Sequence, residues 1–296
     1  MPSPASVAAR VLDSIELLRE TPLTRRSTTP ARTFARSSPT HQPPPITATI
    51  LTKNSEPLLA RVLASLAWCE EVVILDTGST DSTLAIAAGF PNVSLHQLTG
   101  PFPGFGRARQ LAVDLARHDW ILAIDSDEIV SPALAEEIRA LPFDRQTVYV
   151  LPFRNFFRGK HIVTCGWSPE SHERLFHRGT TGFCASDVHE RVQTRGLTCR
   201  QLQHPVEHHP LRSIDAVLAK MRAYAQLFAS QNAGRKKSSP AKAVFRSGWA
   251  FFRSYILERG ALQGAEGLVI SAYQAQLVFW KYLALHEANR ARTAGR

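Results

Sequence analysis

The chain of 296 residues lacks any run of about 18 or more purely apolar residues, so a plain membrane-spanning helix is not expected. It also lacks the apolar core of a secretory signal. Its first apolar stretch is broken by Arg10, Asp13 and Glu16, and the protein is therefore expected to stay in the cytoplasm. Cysteine is scarce, and Cys69, Cys165, Cys184 and Cys199 form no C-x-x-C pair. A structural zinc site has no support from spacing, and free thiols in a reducing compartment are expected. The glycines of GPFPGFG (residues 100–106) are not followed by Gly-Lys-Ser/Thr, which excludes a P-loop. Acids are missing from residues 21–45, a Ser/Thr/Pro/Arg-rich stretch that can bury little apolar surface.

What the sequence does hold is a 44% hydrophobic share and only 20% charge, enough for a full core in one large domain or two modest ones. The formal net charge of +10 is uneven. Residues 1–45 carry six basic and three acidic residues, residues 46–211 carry 15 and 18, and residues 212–296 carry 14 and 4. A nucleic-acid reader usually places its basic patch on the folded module. Here that module is slightly acidic, so no nucleic-acid partner is expected. A cationic, aromatic-rich tail fits an anionic membrane surface at least as well as nucleic acid.

The organisation follows from periodicity. Residues 1–45 read as a disordered leader, with a short helix possible in the first 20. From Ile46 the chain alternates between apolar, β-branched runs and helical stretches. ITATILT, EEVVILD, Asn92–Leu98 and HDWILAID read as strands, with helices after Pro57, after Ser82 and after Gly104. EEVVILD has no internal alternation, as suits a parallel strand buried on both faces. This β-α alternation predicts an open α/β sheet. A helix over Pro132–Leu141 follows. Next come a strand Thr147–Phe153 that leads into a loop with Arg154, Asn155 and Arg158, and short strands at HERLFHR and Val188–Val192. A helix is expected over Asp215–Ser230, a basic linker over 231–243, and helices over 244–258 and 267–288. The expected domains are 46–211, an α/β module, and 212–296, a helical extension suited either to a membrane interface or to packing on the module.

Ligands of open α/β sheets bind beyond the carboxyl ends of the parallel strands. There the sequence places Thr52 and Glu56 after the first strand, Asp76 after the second, and Asp125 and Asp127 after the fourth. Along an extended chain residues i and i+2 point the same way, so Asp125 and Asp127 can address one ligand. A divalent cation relieves the repulsion of two such carboxylates. Mg²⁺ or Mn²⁺ takes oxygen ligands, keeps waters and completes its shell with phosphates. Asp76 can accept from a pyrimidine or a ribose, or serve the turn Thr77–Asp81. Asp81 can cap the following helix or touch a ligand. Arg107 and Arg109 open the helix after GPFPGFG and can pair with a diphosphate. The histidines at 204, 208 and 209 cluster without a spacing that commits to zinc.

ITATILTKNSE, VVILDTGSTDST and WILAIDSDE together resemble the nucleotide-sugar domain of the GT-A fold family 2 glycosyltransferases. HERLFHR, VHERV and HHPLRSI are similar to the lipopolysaccharide-core, β-1,4-glucosyltransferase-like branch, and the resemblance covers roughly residues 46–290. It implies a Rossmann-like GT-A domain with a mostly helical C-terminal extension. It also implies an inverting, metal-dependent transfer of a hexose, glucose from a UDP-sugar donor, to a saccharide-lipid acceptor. The site of action would be cytoplasmic, at the periphery of the inner membrane. By the same resemblance Thr52, Glu56 and Asp76 lie at the nucleoside. Asp125 faces the ribose and metal, and Asp127 binds the metal that holds the diphosphate. The general base falls in VHE, with Glu190 favoured and His189 as a metal ligand or acceptor contact; family 2 more often has an acidic dipeptide there. Near Gly264, where the family usually carries an acid, this chain has Gln263. Two other readings remain at this stage: a nucleotidyltransferase, and a non-catalytic basic membrane or nucleic-acid binding module.

Overall fold

The computed structural model describes residues 43–184, 191–210 and 214–294. Its elements run β1 (Ile46–Thr52), α1 (Glu56–Ser65), β2 (Glu71–Asp76), α2 (Thr83–Ala87), β3 (Val93–Gln97), α3 (Phe105–Asp114), β4 (Trp120–Ala123), β5 (Glu128–Val130) and α4 (Pro132–Arg139). They continue with β6 (Thr147–Phe157), β7 (Lys160–His161), β8 (Glu170–His177), β9 (Thr198–Gln201), β10 (Val206–His208), α5 (Ile214–Asn232), α6 (Pro240–Phe252) and α7 (Ala265–Ala294). A π-helical turn, Arg253–Leu257, and a 3₁₀ turn, Gly260–Gln263, join α6 to α7. The expected leader lies, up to residue 42, outside the described residues, as do His189 and Glu190.

The chain divides into two compact units. One holds residues up to Leu151 together with Glu173–His204; the other holds Pro152–His172 and the residues from Pro205 onward. In the first unit the strand order is β3-β2-β1-β4-β8-β6, with β9 beside β6. β1 to β4 are parallel, as the sequence alternation predicts, and β8 runs antiparallel to β4. Every residue of β2 is buried, including Glu71 and Asp76 at its two ends. Between those ends Val72, Val73, Ile74 and Leu75 pack on both faces, each contributing about 1.5–3 kcal/mol of apolar burial. The buried Glu71 accepts from Thr47 Oγ1 (2.9 Å) and from Arg117 N and Nε (both 2.8 Å), so its charge is answered. One core cluster joins Val73, Leu75, Val113, Ile121, Val148 and Phe176 across β2, α3, β4, β6 and β8.

Helix starts follow local chemistry. Ser131 Oγ accepts the Leu134 N–H at 3.2 Å, and Pro132 occupies the first turn of α4. Ser239 does the same for Lys242 at the start of α6. That cap places the helix start at Pro240, inside the stretch 231–243 expected to be a linker. The strand expected to end at Phe153 runs on to Phe157, so Arg154 and Asn155 lie in a strand and not in a loop. The reason is nonlocal: β10 pairs with residues 153–155, and β7 pairs with 156–157. Val192 bridges to Phe183, while most of the short strand expected over 188–192 lies outside the described residues.

In the second unit, α5 and α6 pack on α7. Ile162, Cys165 and Ile270 form a small core with Phe157 and Trp167 against it. The turn and α7 cross closely: a Cβ placed on Gly267 would lie 1.9 Å from the Gly260 carbonyl oxygen. Among the described residues no helix is long and apolar enough to cross a membrane. All four cysteines lie among the described residues and none is in a disulfide; Cys69 and Cys165 are buried, and burial pushes the Cys69 thiol far up.

Candidate functional site

Three strand ends of the first unit meet at one rim. The β1–β2 register sets Thr52 opposite Asp76, and Thr52 Oγ1 donates to Asp76 Oδ1 at 2.8 Å. Asp76, 2% exposed, also accepts from the N–H groups of Gly78 (3.0 Å) and Ser79 (2.9 Å) and from the Ser79 hydroxyl. Burial works against its charge, but these bonds outweigh burial and hold the carboxyl below its usual range. Gly78, at φ +104°, makes the turn possible. Ser55 Oγ, after β1, donates to Ser126 Oγ at 2.8 Å and so ties the first strand end to the D-x-D segment.

That segment is not extended. β4 ends at Ala123, and residues 125–128 close a turn in which the Glu128 N–H donates to the Asp125 carbonyl at 3.0 Å. The alternation argument for Asp125 and Asp127 therefore does not apply; the turn sets their directions instead. Asp125 Oδ1 accepts from Arg109 at 2.6 Å and its Oδ2 from Arg174 at 3.1 Å. Desolvation opposes its ionisation, but the two guanidiniums hold the carboxyl far below the ordinary value. Arg174 also donates to Glu128 Oε1 at 2.6 Å, and Glu128 Oε2 accepts the Asp125 N–H at 2.8 Å. Burial, with the charges of Asp125 and Asp127 nearby, pushes Glu128 up against the pull of Arg174. Asp127 is half-buried in the same turn.

Glu56 and Asp81 face each other across two helix starts. Asp81 Oδ2 accepts the Glu56 N–H (3.2 Å) and Glu56 Oε2 accepts the Ser82 N–H (3.3 Å), while Asp81 Oδ1 takes the Thr83 N–H and hydroxyl. Asp81 thus accepts the first N–H of α1 and of α2, while the N-cap position of α2 is Ser82. Arg107 is exposed on α3, whereas Arg109 on the same helix is buried and turned to Asp125, with Phe183 5.6 Å beneath its guanidinium. The structure thus brings Thr52, Asp76 and Asp125 into one bonded rim with Glu56 beside it.

Arg174 and Glu128 were missed in the sequence. The available signal was a charge inside the buried run of HERLFH, and a third acid in DSDE.

The second unit carries a polar chain of its own. His208 Nδ1 pairs with Asn155 Oδ1 at 2.6 Å, and Asn155 Nδ2 donates to Glu170 Oε2 at 2.5 Å. Glu170 Oε1 meets His172 Nε2 at 2.8 Å. Burial raises the Glu170 carboxyl, but the bonds from His172 and Asn155 win and bring it to about 2. His209 stacks on Phe156 with ring centres 5.2 Å apart; His204 belongs to the first unit, where it pairs with Glu137 at 2.9 Å. A cavity of about 660 Å³ in this unit is lined by Thr164, Ser168, Leu257, Glu258, Leu262 and Gln263, among others. Among the described residues no three His, Cys, Asp or Glu side chains form a metal-binding group.

Acids and hydroxyls at the carboxyl ends of parallel strands occupy the place where open α/β sheets bind ligands. Residues 47–200 match Glycosyl transferase family 2, and the chain belongs to that family. The α/β domain with its helical C-terminal region has the GT-A fold. A lipopolysaccharide core biosynthesis glycosyltransferase, LpsC of Rhizobium meliloti, is 28% identical over 84% of this chain and 95% of its own length. An uncharacterized glycosyltransferase of Rickettsia conorii is 25% identical over 82% and 90%. Among solved structures, S. aureus TarS 1–349 in complex with UDP-GlcNAc is 16% identical. It covers 85% of this chain and 92% of that chain with a TM-score of 0.44.

Proposed function

We propose that this glycosyltransferase moves a hexose, glucose from UDP-glucose, onto a saccharide-lipid acceptor such as a lipopolysaccharide core, with inversion at the anomeric carbon. The observation that carries this reading is the convergence of Thr52, Asp76 and Asp125 at one rim, tied together by the Thr52–Asp76 and Ser55–Ser126 bonds. The similarity to LpsC over nearly its whole length supports the acceptor class.

In this reading Thr52, Glu56 and Asp76 hold the nucleoside. Asp76 is buried and ionised with its four acceptor positions taken by Thr52, Gly78 and Ser79, so it acts by fixing the turn against which the uracil or ribose would lie. Asp125, locked by Arg109 and Arg174, orients the ribose. The residues fit a cation in one way: Asp125 is committed to two guanidiniums, so Asp127 is the carboxylate that would hold Mg²⁺ or Mn²⁺ together with waters and substrate phosphates. Such an ion, when bound, neutralises the charge growing on the departing diphosphate. Arg107 is assigned to the diphosphate. Glu190, with His189 beside it, takes the proton of the acceptor hydroxyl as it attacks from the opposite face. An α-linked donor then yields a β-glycoside.

The test is UDP release from UDP-glucose with Mn²⁺ and a core-saccharide acceptor. Asp127→Ala is expected to lower turnover by about a hundredfold or more, several kcal/mol of barrier, with an unchanged melting temperature. Wild-type turnover in that variant rejects Asp127. Absence of UDP release from every activated hexose rejects the donor reading.

A further inference from the structure

Helix α6 is built inside out. Its face toward α7 carries small residues: Ala243 is fully buried, and Ser247 Oγ donates to the Ala275 carbonyl at 2.8 Å. About two turns further on, the buried Ser254 bonds the buried Ser271 at 2.9 Å. The opposite face carries Phe245, Trp249 and Phe252 at i, i+4 and i+7, with Ile256 following in the π-helical turn. These four are 74%, 50%, 44% and 51% exposed. A helix of a globular protein ordinarily turns its large apolar side chains inward and its small or polar ones outward. Trp249 and Phe252 sit side by side, their ring centres 5.8 Å apart, so the apolar surface is continuous along roughly 16 Å of helix at 1.5 Å per residue.

The charge around this stripe has one sign. Residues 240–259 hold Lys242, Arg246, Arg253 and Arg259 against a lone acid, Glu258. Glu258 is already met by Arg253 at 2.8 Å. Arg246 and Arg259 are exposed, as are Leu257 and Leu262 beyond the stripe. Leu257 and Leu262 also line the 660 Å³ cavity, whose other walls include Thr164, Ser168 and Glu258.

We infer that the Phe245–Trp249–Phe252–Ile256 stripe is an in-plane docking face for an anionic lipid bilayer. Aromatic and aliphatic side chains on one face of a helix sink into the boundary between headgroups and acyl chains, while flanking arginines meet lipid phosphates. A protein partner of mixed charge would call for acids as well as bases around the stripe; the surplus here is positive throughout. The attachment in this reading is peripheral; among the described residues no helix is long and apolar enough to cross a membrane. The inference deepens the lipid-linked acceptor reading by naming the surface that would hold the enzyme at that lipid, but the surface itself needs no donor, cation or turnover to be tested.

The experiment is flotation of the full chain with vesicles of phosphatidylcholine, with and without phosphatidylglycerol, at low and high salt. Wild type is expected to float with the anionic vesicles and to be released by salt. Phe245→Ser, Trp249→Ser and Phe252→Ser together are expected to weaken flotation at least about tenfold while circular dichroism is unchanged. Arg246→Gln with Arg259→Gln is expected to remove the anionic preference by about fivefold per arginine, and it serves even if the triple variant folds poorly. Wild type that ignores both vesicles overturns the inference, as does flotation unchanged in the arginine variant or in a folded triple variant. A wild-type dimer that does not float and becomes monomeric in the triple variant overturns it in favour of self-association. Because UDP release is measured separately, failure here leaves the transfer reading standing, and the reverse also holds.

Discussion

Arg174 holds two carboxylates at once, and its removal would strand both. Asp125 and Glu128 accept from the same Nη2, at 3.1 and 2.6 Å. Arg174→Met is therefore expected to destabilise the fold by about 3–5 kcal/mol, read as a fall in the urea midpoint. Adding Glu128→Leu should return part of that loss, since it removes one of the orphaned charges. Thr52→Val takes one of four donors from Asp76 and is expected to cost about 1 kcal/mol by the same measurement. At this scale the sequence was readable where strand ends announce themselves. Thr52, Asp76 and Asp125 stand where apolar runs stop. Arg174 lies within a run, and its partners are 46 and 49 residues away, a distance no local pattern spans.

Among the elements, the parallel strands and their helices were legible because each is specified locally: a β-branched run, a polar turn, a helical stretch. β6 was not, because its last four residues are extended by partners, β7 and β10, that come later in the chain. The D-x-D segment shows the same limit. Its apolar run predicts extension, but the Glu128 N–H closes a turn on Asp125. In the helical unit the crossing of Gly267 over Gly260 leaves no room for a side chain. Gly267→Ala must force the two segments apart and is expected to cost about 3 kcal/mol or more, seen as a lower melting temperature. A milder loss, about 1 kcal/mol, is expected for Ser131→Ala, which removes the cap of α4.

For the molecule as a whole, acid stability follows from the depressed carboxyls. Asp76, Asp125 and Glu170 all titrate lower in the fold than in the unfolded chain, Glu170 at about 2. Their contribution is complete above the ordinary carboxylate range near 4 and is lost as pH falls through the folded values. Glu128, raised, acts in the opposite sense: its ionisation costs stability as pH climbs past its ordinary value. Net stability is therefore expected to decline from about pH 4 down to about pH 2, followed by urea titration at successive pH values. Asp76→Asn should flatten that decline.

The chain passes between the two units at 151/152, 172/173 and 204/205. A protein shortened to residues 46–211 would keep Ile162, Cys165 and Trp167 yet lose Ile270, their apolar neighbour. Such a fragment would expose what the full chain hides and should precipitate on expression. The first unit cannot be excised by one cut, and a shorter protein that keeps its strand-end rim must retain the tail or carry a substitute for it.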